Sequence, residues 1–259
     1  MSHTDPGNAR PLLRATDLQK SFGEHQVLKS IDLLIGKGQV LALIGPSGSG
    51  KTTVLRCLNG LEIPDGGEVA FDGGPAVAFA PGTTQKQAQV LRTRSAMVFQ
   101  NYNLFPHMTV LENVIEGPLQ VQRRKRAEVV AEAESLLARV GLAEKRDQYP
   151  HQLSGGQQQR VGIVRALALK PSLLLFDEPT SALDPELVGD VLRVIKELAD
   201  EGWTMVLVTH ELAFAREVAD EIVFMDQGVV VERGHPEVVL RTPQNERTKQ
   251  FVHRLLNPF

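Results

Sequence analysis

The stretch VLALIGPSGSGKTTVLRCLNGL (40–61) decides the fold of this chain. VLALIG (40–45) is a short continuous apolar run, as in a strand covered on both faces, and TTVLRCLNGL (52–61) has apolar residues at helical spacing. Between them lies GPSGSGKTT (45–53), in which Gly45, Gly50, Lys51 and Thr52 match G-x-x-x-x-G-K-[ST] in its required strand-to-helix context. Glycines let the backbone curl until its N–H groups point at phosphate oxygens. The helix start adds partial positive charge. In this pattern Lys51 reaches the β- and γ-phosphates and the Thr52 hydroxyl ligates Mg²⁺.

The same alternation runs outward from this core. Strands are expected at SAMVFQ (95–100), SLLLFDE (172–178) and WTMVLVTH (203–210). Helices are expected at 127–142, 157–169, 185–202 and 211–220, followed by a hairpin over 221–234 turning at Asp226-Gln227-Gly228. Such alternation predicts α/β with a largely parallel sheet. LLRATDLQKSF (12–22) and VLKSIDLLIG (27–36) read instead as antiparallel strands around a turn at 22–24, and 101–160 reads as mostly helical. Four apolar residues bury the strand of SLLLFDE, so Asp177 emerges at its C-terminal end, where α/β sheets place ligands. An Asp there suits a Mg²⁺-associated carboxylate, and Glu178, expected on the other side of the strand, could polarise a water.

Composition narrows the classes. The 259 residues suit one large domain, and a net charge of −3 carries no polyanion signal. Arg123-Arg124-Lys125-Arg126 is followed by Glu128, Glu132 and Glu134, which reads as the solvated start of an amphipathic helix rather than a nucleic-acid patch. The opening MSHTDPGNAR (1–10) has no signal-peptide core, and no run reaches the ~18 apolar residues of a spanning helix. A cytosolic protein that does not itself cross a membrane is expected. The single cysteine, Cys57, lies among Val54, Leu55 and Leu58 and reads as a buried core residue.

LSGGQ (153–157) completes the set. Together the motifs resemble the ATP-binding subunit of ABC transporters, from about residue 12 to 256 and in the family's order. GPSGSGKTT is similar to Walker A, LLLFDE (173–178) to Walker B, LSGGQ to the signature, SALD (181–184) to the D-loop, and Gln100 and His210 to the Q-loop glutamine and switch histidine. The resemblance implies a P-loop NTPase of the ABC type. That means a mainly parallel core sheet, an N-terminal antiparallel β subdomain, a helical subdomain at about 101–160, one ATPase domain over 12–246 and a helical tail at 247–259. It implies ATP and Mg²⁺ as ligands. Gly45, Pro46, Ser47, Gly48, Ser49, Gly50, Lys51, Thr52 and Thr53 would then hold the phosphates and Phe22 would stack on adenine. Thr52, Gln100 and Asp177 would serve the metal, and Glu178, His210, Lys51 and Gln100 would serve hydrolysis. Ser154, Gly155, Gly156, Gln157 and Asp184 would act in trans, over ATP held by the second copy in a homodimer.

Longer stretches resemble the polar amino acid uptake subfamily of bacterial importers: QNYNLFPHMTVLENV (100–114), YPHQLSGGQQQRV (149–161), THELAFAREVADEIVFMDQG (209–228) and TPQNERTKQFVHRLL (242–256). This implies integral membrane permease subunits, an extracytoplasmic solute-binding protein and a place on the cytoplasmic face of the membrane, with no nucleic acid. GIVRALAL (162–169) departs from the subfamily's alanines, and GGPAVAFAPGTTQKQAQ (73–89) has no counterpart in it. Each role has a plainer rival: Gln100 as a polar strand end, His210 as a structural histidine, Asp184 as a helix cap, Phe22 as core, and Tyr102 to Pro106 as an apolar turn instead of a patch that meets a membrane subunit. An importer of another solute and a non-transport ABC ATPase are the alternative functions. One cassette, one cysteine and no heptad array count against the second.

Overall fold

The computed structural model describes residues 11–256; the polar stretch 1–10 and residues 257–259 of the expected tail lie outside the described residues. Strand β3 (Val40–Ile44) has every residue buried, because it runs between two parallel neighbours with both faces covered. Those neighbours are β8 (Met205–Val208) and β9 (Glu221–Asp226). Beyond β8 lie β7 (Leu173–Asp177) and β6 (Ser95–Val98), both parallel. Beyond β9, β10 (Val229–Gly234) closes the edge antiparallel. The order is β10-β9-β3-β8-β7-β6. The β9–β10 hairpin turns at Gln227 and Gly228, both with positive φ (49° and 80°), the backbone of a two-residue turn that matches strand twist.

A second, four-stranded antiparallel sheet stands against this one. It contains β1 (Pro11–Phe22), β2 (His25–Gly36), β4 (Gly66–Phe71) and β5 (Val77–Phe79), in the order β2-β1-β4-β5. Phe22 pairs with His25, so the tight turn is Gly23-Glu24. The stretch 73–89 is ordinary structure: it supplies β5 and opens α2 (Gln85–Arg92), whose Thr84 and Gln87 form a capping box.

Alternation along β7 splits the core in two. Leu173 and Leu175 face a cluster shared with α1 (Lys51–Asn59) and the antiparallel sheet. Leu174 and Phe176 face a cluster shared with α3 (Val110–Gln120), α4 (Arg126–Arg139), α5 (Gly155–Ala168) and α6 (Pro185–Asp200). The helices of the middle segment thus pack on the sheet's second face. In the basic run that leads into α4, Arg123, Lys125 and Arg126 are exposed, while Arg124 is half-buried, paired with Glu132 and donating to the Ala168 carbonyl. After β8 come α7 (Leu212–Val218), α8 (Pro236–Arg241) and α9 (Glu246–Leu256). Phe251 and Val252 pack α9 against Ile44 and Phe224. Among the described residues no helix is long and apolar enough to cross a membrane.

Candidate functional site

The loop between β3 and α1 is shaped by three glycines with different reasons. Gly45 has φ 148°, and a methyl group there would overlap the Met225 carbonyl. Gly50, the N-cap of α1 at φ 100°, would place a Cβ 2.7 Å from Leu28 Cδ2. Gly48, at φ 80°, meets nothing within 4 Å, so its backbone faces open space. Ser47 and Gly48 form the turn after Pro46, and Ser49 N–H donates back to the Pro46 carbonyl (3.2 Å). Ser49 is buried and its Oγ has no hydrogen-bond partner, an orphaned polar atom inside the loop. Lys51 is 4% exposed, and its ammonium donates to the carbonyls of Gly45 (2.8 Å) and Pro46 (2.9 Å). Burial pushes this ammonium below the usual lysine range, while the carboxylates of Glu178 and Asp177 oppose the shift. Thr53 sits in the first turn of α1, half-buried.

Thr52 follows on that turn and donates from Oγ1 to Asp177 Oδ1 at 2.7 Å, joining α1 to the end of β7. Asp177 is 5% exposed, and burial pushes its carboxyl above the usual range against the bond from Thr52. A carboxylate whose burial outweighs the pull of nearby Arg56 and Lys51, beside a hydroxyl, is an oxygen-only donor set that fits a hard divalent cation. Among the described residues no three His, Cys, Asp or Glu side chains cluster to hold a metal, so such an ion would take its remaining oxygens from outside that set, from an amide such as that of Gln100, phosphate and water.

Glu178 leaves the strand. Its φ is 45°, and its N–H donates to the Val208 carbonyl (3.0 Å). A left-handed conformation at a non-glycine residue costs about 1–2 kcal/mol. This turn, not strand alternation, directs the side chain. Oε1 lies 3.0 Å from His210 Nε2 just past β8. The bond from His210 outweighs burial and holds Glu178 below the usual carboxylate range. Ser181 closes the turn, donating from N and Oγ to the Glu178 carbonyl.

Gln100 follows Phe99 at the end of β6, whose Val98 is in register with Phe176 of β7. It therefore stands at the same edge as Asp177, exposed. Phe22 is 50% exposed, so it is not core; Lys20 Nζ lies 5.1 Å from its ring centre and is itself held by Glu62. An exposed ring with a fixed cation on one side leaves the other side for stacking.

LSGGQ opens α5 two residues earlier than expected, at Gly155. Ser154 Oγ accepts from Gln157 N–H while the Gln157 side chain accepts from Ser154 N–H, a capping box. The space beside the glycines is partly taken by the same chain. A Cβ on Gly155 would lie 2.8 Å from Tyr102 Oη and 3.2 Å from Leu183, and one on Gly156 would lie 3.3 Å from Leu187. Asp184 is the N-cap of α6 but makes no capping bond, so its carboxylate is not spent on its own helix.

Three residues that the sequence did not single out hold this region. Asn113 is fully buried; it accepts from Phe105 N–H and donates to the carbonyls of Phe105, Met108 and Thr109. Gln159 donates to the Phe99 carbonyl at 3.2 Å. Arg165 donates to the carbonyls of Asn103 (2.7 Å) and Tyr102 (3.0 Å), which both have positive φ (50° and 59°). The one local sequence signal here is the T-x-x-E pattern of Thr109 and Glu112, which caps α3.

The chain's likenesses agree with this geometry. The family model described as ABC transporter matches residues 28–181. The L-cystine import ATP-binding protein TcyC of Bacillus subtilis is 62% identical over 247 residues, covering 95% of this chain and 100% of that one. The arginine transport ATP-binding protein ArgV of Corynebacterium glutamicum is 54% identical over 252 residues, covering 95% and 98%. Among solved structures, the dimeric ATP-binding cassette MJ0796 in a post-hydrolysis state with ADP and Pi has a TM-score of 0.74 at 34% identity, covering 86% of this chain and 98% of that one.

Proposed function

The chain belongs to the ABC transporter family and is an ATPase of that family; on that premise we propose that it powers uptake of a polar amino acid through separate membrane permease subunits. The observation that carries the chemistry is the pairing of Glu178 with His210 (3.0 Å) beside the pairing of Thr52 with Asp177 (2.7 Å). ATP hydrolysis needs positioning and charge stabilisation more than covalent chemistry. Lys51 exchanges its two loop carbonyls for phosphate oxygens, and the N–H groups around Gly48 line the open side of the loop. Phe22 stacks on adenine. Thr52 and Asp177 would hold Mg²⁺, with Gln100 as a further oxygen donor, and the ion would supply positive charge against the phosphates. Glu178, ionised at neutral pH, accepts a proton from the attacking water and orients it. His210 holds Glu178 and steadies the γ-phosphate. The test is Glu178→Gln: ATP binding is expected to persist while hydrolysis falls at least about a hundredfold. Near-normal turnover would reject the role.

The signature belongs to the partner's ATP in this reading. Helix α1 packs on one face of the core sheet and α5 on the other, which separates the phosphate loop from LSGGQ of its own chain. One loop and one signature per chain suit a two-fold dimer that completes both sites at once. Ser154, Gly155, Gly156, Gln157 and Asp184 then close over ATP across the interface. The similarity to the dimeric MJ0796 cassette supports that assembly.

A groove of about 490 Å³ beside the site, lined by Phe99, Asn103, Phe105, Asn113 and Arg165 among others, is the place proposed for a permease segment. In this reading the protein works at the cytoplasmic face of the membrane, with a solute-binding protein on the far side. TcyC and ArgV, named as ATP-binding proteins of L-cystine import and arginine transport, support the amino acid reading.

A further inference from the structure

We propose that Tyr102 is a positioning residue for the partner's ATP: it fixes the D-loop and the signature glycines of its own chain in one geometry. The inference rests on the trans reading above. Tyr102 Oη donates to the Ala182 carbonyl at 3.1 Å, inside SALD (181–184). The same hydroxyl occupies the space that a Cβ on Gly155 would need, 2.8 Å away, and Leu183 fills the other side at 3.2 Å. One phenol therefore touches both motifs that are assigned to the other subunit's nucleotide. Burial and the negative charge of Asp184 push the phenol above its usual range, so it stays protonated and keeps donating.

The backbone of Tyr102 is held as firmly as its ring. Tyr102 and Asn103 form a left-handed hook, with φ 59° and 50°. Asparagine tolerates that conformation; tyrosine adopts it only where surrounding contacts enforce it. Arg165 enforces it by donating to both carbonyls, and Arg165 lies on α5, the helix that LSGGQ opens. Its guanidinium also lies 5.9 Å from the Phe105 ring centre, and Phe105 lines the groove proposed for a permease segment. Tyr102 thus faces inward, between two motifs of its own chain, and not outward toward a membrane partner.

Tyr102→Phe keeps the ring over Gly155 and removes only the bond to Ala182. Mixed dimers of full-length chains with distinct tags locate the defect. Lys51→Ala in one chain leaves one competent phosphate loop. With Tyr102→Phe on that same chain, the surviving site borrows a signature and D-loop lacking the hydroxyl. Single-turnover phosphate release there should fall roughly two- to tenfold, and the ATP-dependent dissociation constant of the dimer should rise by a similar factor. The KM for ATP should change less than about twofold, because Lys51 and Phe22 of the surviving loop are intact. With the two substitutions on opposite chains, the surviving site should match Lys51→Ala alone. Equal loss in both arrangements, or none in either, overturns the inference. Ser154→Ala run in the same arrangements separates the two ideas. If it follows the trans pattern and Tyr102→Phe does not, the inference fails and the trans sandwich stands. If Ser154→Ala damages only its own chain's site, the sandwich fails and the inference with it.

Discussion

Three ionised groups at the nucleotide end of the core sheet are tuned in different directions. Lys51 and Asp177 are both buried, and burial disfavours the charge of each. Glu178 is stabilised as a carboxylate by His210. The consequences for pH follow in sign. Glu178, held below its ordinary 4.5, contributes stability that is present above that pH and lost as pH falls through the lowered value. Asp177, held above its ordinary 3.8, burdens the folded state at neutral pH and is relieved on protonation as pH falls. Asp177→Asn should therefore raise the melting temperature of the nucleotide-free protein at pH 7 by a few degrees, with the gain shrinking as pH approaches about 4. The same variant should lose the extra stabilisation that Mg²⁺ adds to ATP. A melting temperature unchanged or lower at pH 7, read by calorimetry, would contradict the burial argument. The identity of these residues was legible from GPSGSGKTT and LLLFDE. The direction of the Glu178 side chain was not, because a φ of 45° just past β7 breaks the alternation that a strand pattern assumes.

Element ends set the geometry of the groove and signature. Helix α3 begins with Thr109 and Glu112 capping each other, and the turn before it hangs on Asn113. An asparagine buried on a helix, spending both ends of its amide on the preceding loop, adds partners for the Phe105 N–H and the Met108 carbonyl to the one backbone bond, Met108 N–H to the Phe105 carbonyl, that the turn makes itself. Asn113→Ala should cost about 2–4 kcal/mol of stability, since it orphans several buried groups at once. It should also weaken capture of the purified permease complex, whereas ATP affinity stays within about twofold because the phosphate loop stands on the other face of the sheet. Denaturant titration and nucleotide binding on the same sample read both. The capping patterns T-x-x-E and S-x-x-Q stood in the sequence; the starts of α3 and α5 obey them. The bonds of Asn113 carry no sequence signal, because a buried asparagine looks like any polar residue on a helix until its neighbours are placed.

Across the whole molecule the core sheet is covered on one face by helices α3 to α6 and on the other by α1 and the antiparallel sheet. Cys57 lies on that second face, in the cluster with Leu13, Ile31, Val69, Leu173 and Val208. Burial pushes its thiol up to about 12. Only on the order of one thiol in ten thousand is then ionised at pH 8, so the native protein should not react with iodoacetamide. Labelling should require the sheets to part. Its rate should rise with urea along the slope of global unfolding, and ATP with Mg²⁺ should slow it. Rapid labelling of the folded protein would show that the two sheets separate locally.

The sequence alone determined the chemistry and class of this protein. The motif proposed to grip phosphate is contiguous, and its physics is local: a glycine turn, a lysine and a helix start within nine residues, GPSGSGKTT. Hydrophobic periodicity likewise settled the parallel core and the N-terminal hairpin. Tertiary structure alone decided which distant groups meet. Thr52 with Asp177, Glu178 with His210, and Tyr102 with both Gly155 and Ala182 are pairs far apart along the chain. No periodicity encodes such pairs, because they depend on strand order in the sheet and on which face each helix covers. The plain LSGGQ acquires its shape in the same way, from residues that fold back onto it.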